Sequence, residues 1–150
     1  MKAVIQRVQY AKVSVAQQVV GEIDKGLLIL LGVQQGDTKE DLDYLVKKIA
    51  QMRIFSDENG KMNLSCLDMN GDFLVVSQFT LLANTHKGNR PSYTESAAPD
   101  MAKKMYEDFS KSLAQFTQKN IQNGIFGADM QIELLNDGPV TIVLNSKNKG

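Results

Sequence analysis

The order in which strand-like and helix-like patterns follow one another limits the fold of this chain more than any other feature. Residues 1–34 are strand-like: Val13 and Val15 alternate with Ser14, and Leu27–Val33 is a continuous apolar run typical of a buried strand. A helix, further strands, a second helix and two last strands follow. Strands and helices do not alternate regularly, which argues against a doubly wound parallel sheet. The pattern predicts an α+β fold with a curved, largely antiparallel sheet and two main helices.

Both helices begin at recognisable residues. Thr38-Lys39-Glu40-Asp41 resembles a capping box, with Asp41 where Glu or Gln is usual. Pro99 stands near the first turn of the second helix, where proline is tolerated. The apolar side of the first helix is predicted at Leu42, Leu45, Val46, Ile49 and Met52, and that of the second at Met101, Met105, Phe109, Leu113 and Phe116. The last two strands are predicted over Met130–Leu135 and Val140–Leu144, with a turn between them.

Length and hydropathy exclude several classes of protein. The 150 residues fit one domain, and no repeat or linker divides them, so a compact single domain spanning residues 1–150 is expected. The longest strictly apolar run, Leu27–Leu31, is far below the roughly 20 residues of a membrane-spanning helix. The apolar stretch near Met1 is also too short for a signal peptide. A cytoplasmic location without membrane contact is therefore expected.

The charged and metal-binding residues narrow the function further. Seventeen basic residues balance seventeen acidic ones, so a coat of long nucleic acid is not expected, whereas a short contact with RNA stays open. One cysteine, Cys66, and one histidine, His86, can form neither a disulfide within the chain nor a cysteine-cluster or multi-histidine metal site. No metal or cofactor is expected. Cys66 is more typical of a structural thiol than of a nucleophile, and His86, in the polar loop 83–98, of a solvated side chain than of a general base.

Two segments stand out, although each also has an ordinary interpretation. Ser77-Gln78-Phe79-Thr80-Leu81 places hydroxyl, amide and backbone donors at a strand end where a pocket could open, or it is simply an exposed strand end. Asn136-Asp137-Gly138-Pro139-Val140-Thr141 consists largely of the common turn formers. The phosphate-binding loop, the dinucleotide fingerprint Gly-x-Gly-x-x-Gly and the nucleophile elbow Gly-x-Ser-x-Gly do not occur in the sequence.

The two segments together strongly resemble the paired motifs of the D-aminoacyl-tRNA deacylases. The resemblance runs in order along essentially the whole chain. The other segments that match the family are Met1–Val8, Val13–Val15, Gly26–Val33, Lys47–Ile49, Arg53–Phe55, Asn89–Tyr93 and Gly124–Met130.

This resemblance implies an enzyme that hydrolyses the ester between a D-amino acid and the 3′-terminal ribose of tRNA, and that so proofreads chirality in translation. It implies a barrel-like domain that works as a homodimer, each subunit inserting a cis Gly-Pro motif into the partner's active site. The residues that match the family's functional positions are Ser77, Gln78, Phe79 and Thr80 as the catalytic pocket, Gly138 and Pro139 as the chirality screen, Arg7 as a brace for that motif, and Phe126 and Met130 near the terminal adenosine and the pocket wall.

The chemistry of these residues is compatible with the implied reaction. An aminoacyl ester is already activated, and a backbone N–H at Phe79 or Thr80 would stabilise the developing oxyanion. The resemblance implies participation of the ribose 2′-hydroxyl, and neither His86 nor Cys66 pairs with Thr80 as a base. A filter that works by steric rejection excludes glycine poorly, so glycyl-tRNA is an expected second substrate.

Several alternatives stay open on the sequence alone. One is a hydrolase that uses Thr80 as a covalent nucleophile on another ester or amide. Another is a non-catalytic module that binds an RNA end or a D-amino acid. The basic residues Lys87 and Arg90, with the pairs Lys47-Lys48 and Lys103-Lys104, either contact RNA phosphates or lie on solvated surfaces.

Overall fold

A computed structural model describes residues 1–149 of the chain. In the described residues the elements are β1 (Lys2–Val15), β2 (Gln18–Ile23), β3 (Gly26–Gly32), α1 (Lys39–Gln51), β4 (Phe55–Ser56), β5 (Met62–Leu64), β6 (Asp72–Ser77), a 3₁₀ turn (Phe79–Leu82), α2 (Pro99–Thr117), β7 (Gln122–Asn123) and β8 (Met130–Asn145). Strands β4 and β5 form a separate small hairpin, and the other six strands form one sheet.

The main sheet curls into a nearly closed barrel. Its order is β2-β1-β3-β6-β7, and β8 pairs with β1 outside this path. The pairings of β1 with β2, β3 and β8 are antiparallel, whereas β3–β6 and β6–β7 are parallel. The two edges nearly meet, because the Glu22 N–H lies 3.4 Å from the Gln122 side-chain oxygen and a Cβ on Gly21 would come within 2.5 Å of the Asn123 carbonyl oxygen. The predicted fold class is confirmed.

Both faces of the central strands are buried, which explains why β3 reads as a continuous apolar run. Leu27 and Ile29 face a core shared with both helices, where Leu45 of α1 and Phe109 of α2 are fully buried. Leu28, between them, faces a second core on the other side of the sheet. The other buried residues of the second core are Val8, Ala11, Val13, Ile23, Leu74 and Val76.

The predicted helices are confirmed, with one correction to the buried side of α2. The Thr38 N–H donates to the Asp41 carboxylate at 2.9 Å, as the capping box requires. Met101 and Phe116, however, are 40% and 44% exposed. The buried residues of α2 are Ala102, Tyr106, Phe109, Leu113 and Thr117. Hydropathy understates this stripe because it contains small and hydroxyl-bearing side chains; the Tyr106 hydroxyl is satisfied by the Val75 carbonyl at 3.0 Å.

One turn was not predicted and one predicted turn is wrong. The chain reverses between β1 and β2 at Ala16 and Gln17, whose φ angles of 49° and 67° are left-handed, within a stretch whose sequence is strand-like throughout. Residues 136–139 do not reverse the chain at all, because β8 runs through them as a single strand.

The interruption of β8 is a bulge opposite β1. Gln6 pairs with Thr141 and Val8 pairs with Asn136. Two steps along β1 therefore correspond to five along β8, and three extra residues stand out of the ladder there. The Gly138–Pro139 peptide bond within the bulge is cis, and both residues are exposed.

Candidate active site

The carboxyl end of β6 carries the first of the two sequence motifs to the rim of the barrel. The Gln78 N–H donates to the Leu31 carbonyl at 2.8 Å, which continues the pairing with β3 beyond Ser77. The chain then turns into the 3₁₀ segment that begins at Phe79. The end of a buried strand thus fixes the backbone of the motif while its side chains reach the surface.

The polar loop 83–98 is held against the end of β3. Its Ala97 N–H donates to the Val33 carbonyl at 3.0 Å, and its Glu95 carbonyl accepts from the Gln35 N–H at 2.9 Å. This pairing brings Tyr93 against the motif.

A cavity of about 720 Å³ lies between the motif, this loop and the start of β8. The strand end contributes Ser77, Gln78 and Phe79, and the approach to β8 contributes residues 126–130. The remaining lining residues are Val33, Gln35, Val76, Tyr93, Thr94, Ser96, Ala97, Ala98, Pro99, Ala102 and Ile132. This volume lies within the range typical of small-molecule and cofactor sites.

Two aromatic rings form one wall of the cavity. Phe79 and Tyr93 meet edge to face with centroids 5.0 Å apart, a favourable geometry for aromatic pairs. Phe79 is nevertheless 56% exposed. The Ser96 hydroxyl donates to the Phe79 carbonyl at 3.4 Å and so ties the loop to the motif. An exposed aromatic ring of this kind can pack against a base or an apolar amino-acid side chain.

The motif also offers hydrogen-bond donors that the fold does not use. Within residues 1–149, neither the Phe79 nor the Thr80 backbone N–H has an acceptor. The Gln78 side-chain amide donates to the Thr80 hydroxyl. Unused backbone donors at a cavity edge can bind an oxyanion without any reorganisation of the protein.

The cavity lining has little acid–base chemistry. Its titratable side chains are those of Tyr93 and Asp129, and it contains no histidine, cysteine or lysine. Cys66 is fully buried elsewhere in the core, and burial raises the pKa of its thiol to about 12. Within residues 1–149 no group of three or more His, Cys, Asp or Glu side chains is placed to hold a metal ion. The lining therefore offers mainly hydroxyl, amide and backbone dipoles and an apolar surface.

The structure brings together some of the predicted site residues and separates the others. Ser77, Gln78, Phe79, Phe126 and Met130 all line the cavity. Thr80, the next residue of the motif, is exposed and lies outside the lining. The other three predicted site residues, Arg7, Gly138 and Pro139, do not line this cavity.

Arg7 holds the base of the β8 bulge within its own chain. Its Nη1 donates to the Ile54 carbonyl at 2.7 Å and its Nε donates to the Asp137 carbonyl at 3.0 Å. A Cβ on Gly138, whose φ is +133°, would come within 2.9 Å of both the guanidinium and the Val140 side chain. Glycine is therefore required there by backbone conformation and by space.

Most of the lining residues outside the motifs could not be identified from the sequence. Tyr93 could have been, since it ends a segment that matches the family and lies in a long loop. Ala97 and Ala102 could not, because small side chains carry no chemical signature. They become cavity walls only because the end of the loop and the first turn of α2 lie beside the motif.

Comparison with known proteins identifies the family. The model of the family described as D-Tyr-tRNA(Tyr) deacylase matches residues 4–145. The chain belongs to this deacylase family. Two curated relatives are each named D-aminoacyl-tRNA deacylase. The protein of Flavobacterium johnsoniae is 58% identical over 149 residues, 99% of both chains. That of Thermosipho africanus is 58% identical over 147 residues, 98% of both chains.

Solved structures agree with the fold of this deacylase, which as a family member is a hydrolase. A protein described as a c-Myc DNA unwinding element binding protein superposes with a TM-score of 0.91 at 40% identity, covering 97% of this chain and 98% of its own. A probable eukaryotic D-amino acid tRNA deacylase superposes with a TM-score of 0.83 at 15% identity, covering 95% of this chain and 97% of its own. The second likeness concerns the fold alone.

None of the helices described in residues 1–149 is both long enough and apolar enough to cross a membrane.

Proposed function

We propose that this deacylase hydrolyses the ester between a D-amino acid and the 3′-terminal ribose of tRNA, in the cytosol where tRNA is charged. The observation that carries the proposal is the cavity at Ser77, Gln78 and Phe79. It offers hydroxyl, amide and unused backbone donors, and its lining has no histidine, cysteine or lysine. Relatives at 58% identity bear the name of this activity.

The reaction needs little from the protein because the substrate is already reactive. Water adds to the ester carbonyl carbon, the bond to the ribose 3′-oxygen breaks, and that oxygen leaves with a proton. The N–H groups of Phe79 and Thr80 stabilise the negative charge on the carbonyl oxygen, a contact typically worth about 2.7–4 kcal/mol. The neighbouring ribose 2′-hydroxyl supplies the hydrogen bonding that a side-chain base supplies in other hydrolases.

The position of the Gly138-Pro139 motif supports a homodimer. Met130 lines the cavity at the start of β8, and Gly138 follows eight residues later on the same strand. At about 3.4 Å per residue this is up to roughly 27 Å along the strand. This separation supports a role for the motif in the active site of a second copy, into which its exposed residues would insert.

Chirality is screened by exclusion in this arrangement. The backbone carbonyls of Gly138 and Pro139 occupy the space that an L side chain needs, whereas a D side chain points away. This is discrimination by steric rejection of the wrong substrate. Glycine has no side chain to reject, so glycyl-tRNA is cleaved as well.

The decisive experiment compares matched D- and L-aminoacyl-tRNAs with the purified protein, following loss of the ester. We expect rapid cleavage of the D substrate and of glycyl-tRNA, and no cleavage of the L substrate above the spontaneous rate. Equal rates for the D and L substrates would contradict the chiral screen. Binding without any ester loss would instead favour a non-catalytic binding module.

The dimer is tested separately by light scattering at assay concentrations. We expect twice the mass of the chain. A monomer with full turnover would show that the motif of a second copy is not needed.

A further inference from the structure

A second cavity adjoins the first and shares one wall with it. It has a volume of about 400 Å³ and lies between α2 and the segment that follows β7. Phe126 lines both cavities, so the two cavities lie on either side of this residue. None of the functions discussed above uses this space.

Two lysines without an ion-pair partner among the described residues line the second cavity. Lys103 and Lys111 both line it, and they lie eight residues apart on α2, on one face of the helix. Within residues 1–149 neither ammonium has an acidic partner within 4.0 Å, whereas Lys104, one residue further along, pairs with Asp108 at 3.0 Å. The Glu107 carboxylate also lines the cavity, so two ammonium groups and one carboxylate leave a net charge of +1.

The second cavity also has an apolar side that a free anion does not require. Ile125 is 46% exposed and lies next to Phe126 in the lining. Side-chain amide and hydroxyl groups are present as well, since the Asn123 amide donates to the Tyr106 hydroxyl at 3.3 Å in the same lining. Cationic groups beside an aromatic and apolar surface are the usual means of binding single-stranded nucleic acid, through phosphates and stacked bases.

We propose that this second cavity binds the nucleotide that precedes the terminal adenosine, with Lys103 and Lys111 contacting its phosphates and Ile125 and Phe126 contacting its base. The assignment rests on the proposed function, which places the aminoacylated terminal nucleotide in the first cavity. The RNA strand must leave that cavity, and in this proposal it passes Phe126 to reach the second cavity beside α2. These two lysines thus act in binding the RNA and take no part in the chemical step.

The test measures binding of a short uncharged oligoribonucleotide ending in cytidine-cytidine-adenosine, with adenosine alone as the comparison ligand. For the double variant Lys103→Ala/Lys111→Ala we expect roughly tenfold weaker binding of the oligonucleotide. The slope of log K against log salt should fall by about 0.7 for each lost phosphate contact. Adenosine binding should not change. Lys104→Ala, the matched control on the same helix, should leave both ligands unaffected.

A substitution of opposite charge effect gives a second test, because a purely structural role of the lysines would not predict tighter binding of the oligonucleotide. Glu107→Gln removes the only negative charge in the lining of the second cavity, so oligonucleotide binding should tighten by a few fold at low salt. Unchanged oligonucleotide binding in both the double lysine variant and Glu107→Gln would overturn the proposal. So would equal weakening of adenosine and oligonucleotide, which would indicate a disturbed fold.

Turnover separates this inference from the proposed function. With D-aminoacyl-tRNA, the double lysine variant should lose roughly tenfold in kcat/KM. With a D-aminoacyl-adenosine that lacks the preceding nucleotides, it should match the unsubstituted chain. If the unsubstituted chain cleaves neither substrate, the proposed function fails, whereas lysine-dependent binding of the oligonucleotide would still support this second site.

Discussion

Replacement of Thr80 by alanine separates the two chemical mechanisms open to this site. Thr80 is the one hydroxyl of the motif that lies outside the cavity lining. It is exposed and accepts one hydrogen bond, from the Gln78 amide. Neutral hydrogen bonds contribute about 0.5–1.5 kcal/mol, and about 1.4 kcal/mol corresponds to tenfold in rate. Thr80→Ala should therefore lower kcat/KM by no more than about tenfold.

The opposite expectation holds if Thr80 forms an acyl-enzyme. Removal of a covalent nucleophile costs on the order of 10⁶ in kcat. The assay is single-turnover loss of the ester from D-aminoacyl-tRNA, with thermal unfolding and RNA binding measured on the same preparations. Thr94→Ala, which removes another threonine of the pocket region, is the matched control. A loss of more than a thousandfold in the rate of Thr80→Ala, with intact folding and RNA binding, would refute the mechanism in which the ribose hydroxyl takes the place of a side-chain nucleophile. A trapped acyl-enzyme would refute it as well.

Three further predictions concern the ribose 2′-hydroxyl of the substrate, Gly138 and Asp41. A substrate ending in 2′-deoxyadenosine should be cleaved at least a hundredfold more slowly than the ribose form; equal rates would remove the 2′-hydroxyl from the mechanism. Gly138→Ala should lower the free energy of unfolding by roughly 1–3 kcal/mol in a urea titration, since it places an L residue at a strained φ. It should also reduce the ratio of kcat/KM for D over L substrates. The control Gly88→Ala, at φ +67° with nothing within 4 Å of the added Cβ, should leave that ratio unchanged. Burial opposes ionisation of Asp41, but hydrogen bonds from the Thr38 N–H, Ser146 and Lys147 outweigh it and hold the carboxyl pKa well below its usual range. The stability that this carboxylate contributes is present above about pH 4 and is lost as the pH falls towards the folded-state pKa. In urea titrations at several pH values, Asp41→Asn should therefore have a lower free energy of unfolding at pH 7. That free energy should also fall less steeply below pH 4 than it does for the unsubstituted chain.

The sequence predicts well those parts of the fold that depend on interactions between residues close together in the chain. Thr38 and Asp41 form the expected cap because the capping interaction lies within four residues. Leu27–Val33 reads as a buried strand because both of its faces are covered. The turn at Ala16 and Gln17 was missed because neither residue type favours a left-handed φ, and the tertiary pairing of β1 with β2 imposes it.

The candidate site also has a part that the sequence predicts and a part that it does not. Ser77, Gln78 and Phe79 were identified from a contiguous motif, and the structure places them in one cavity. The second motif was identified as well, but its conformation was not. Turn-forming residues at 136–139 predict a reversal, and only the pairing of both flanks of β8 with β1 keeps the strand straight.

The same pairing sets the second motif apart from the rest of the barrel. Removal of Asp137, Gly138 and Pro139 would place Val140 opposite Arg7, between the pairs Val8 with Asn136 and Gln6 with Thr141. The ladder would then be regular on this side of Val8, and the one-residue shift between Val8 and Ala11 would remain. The barrel can thus be described as a scaffold that carries a three-residue insertion in β8. The proposed chirality screen would occupy an insertion that leaves the pairing of both flanks of β8 with β1 in place.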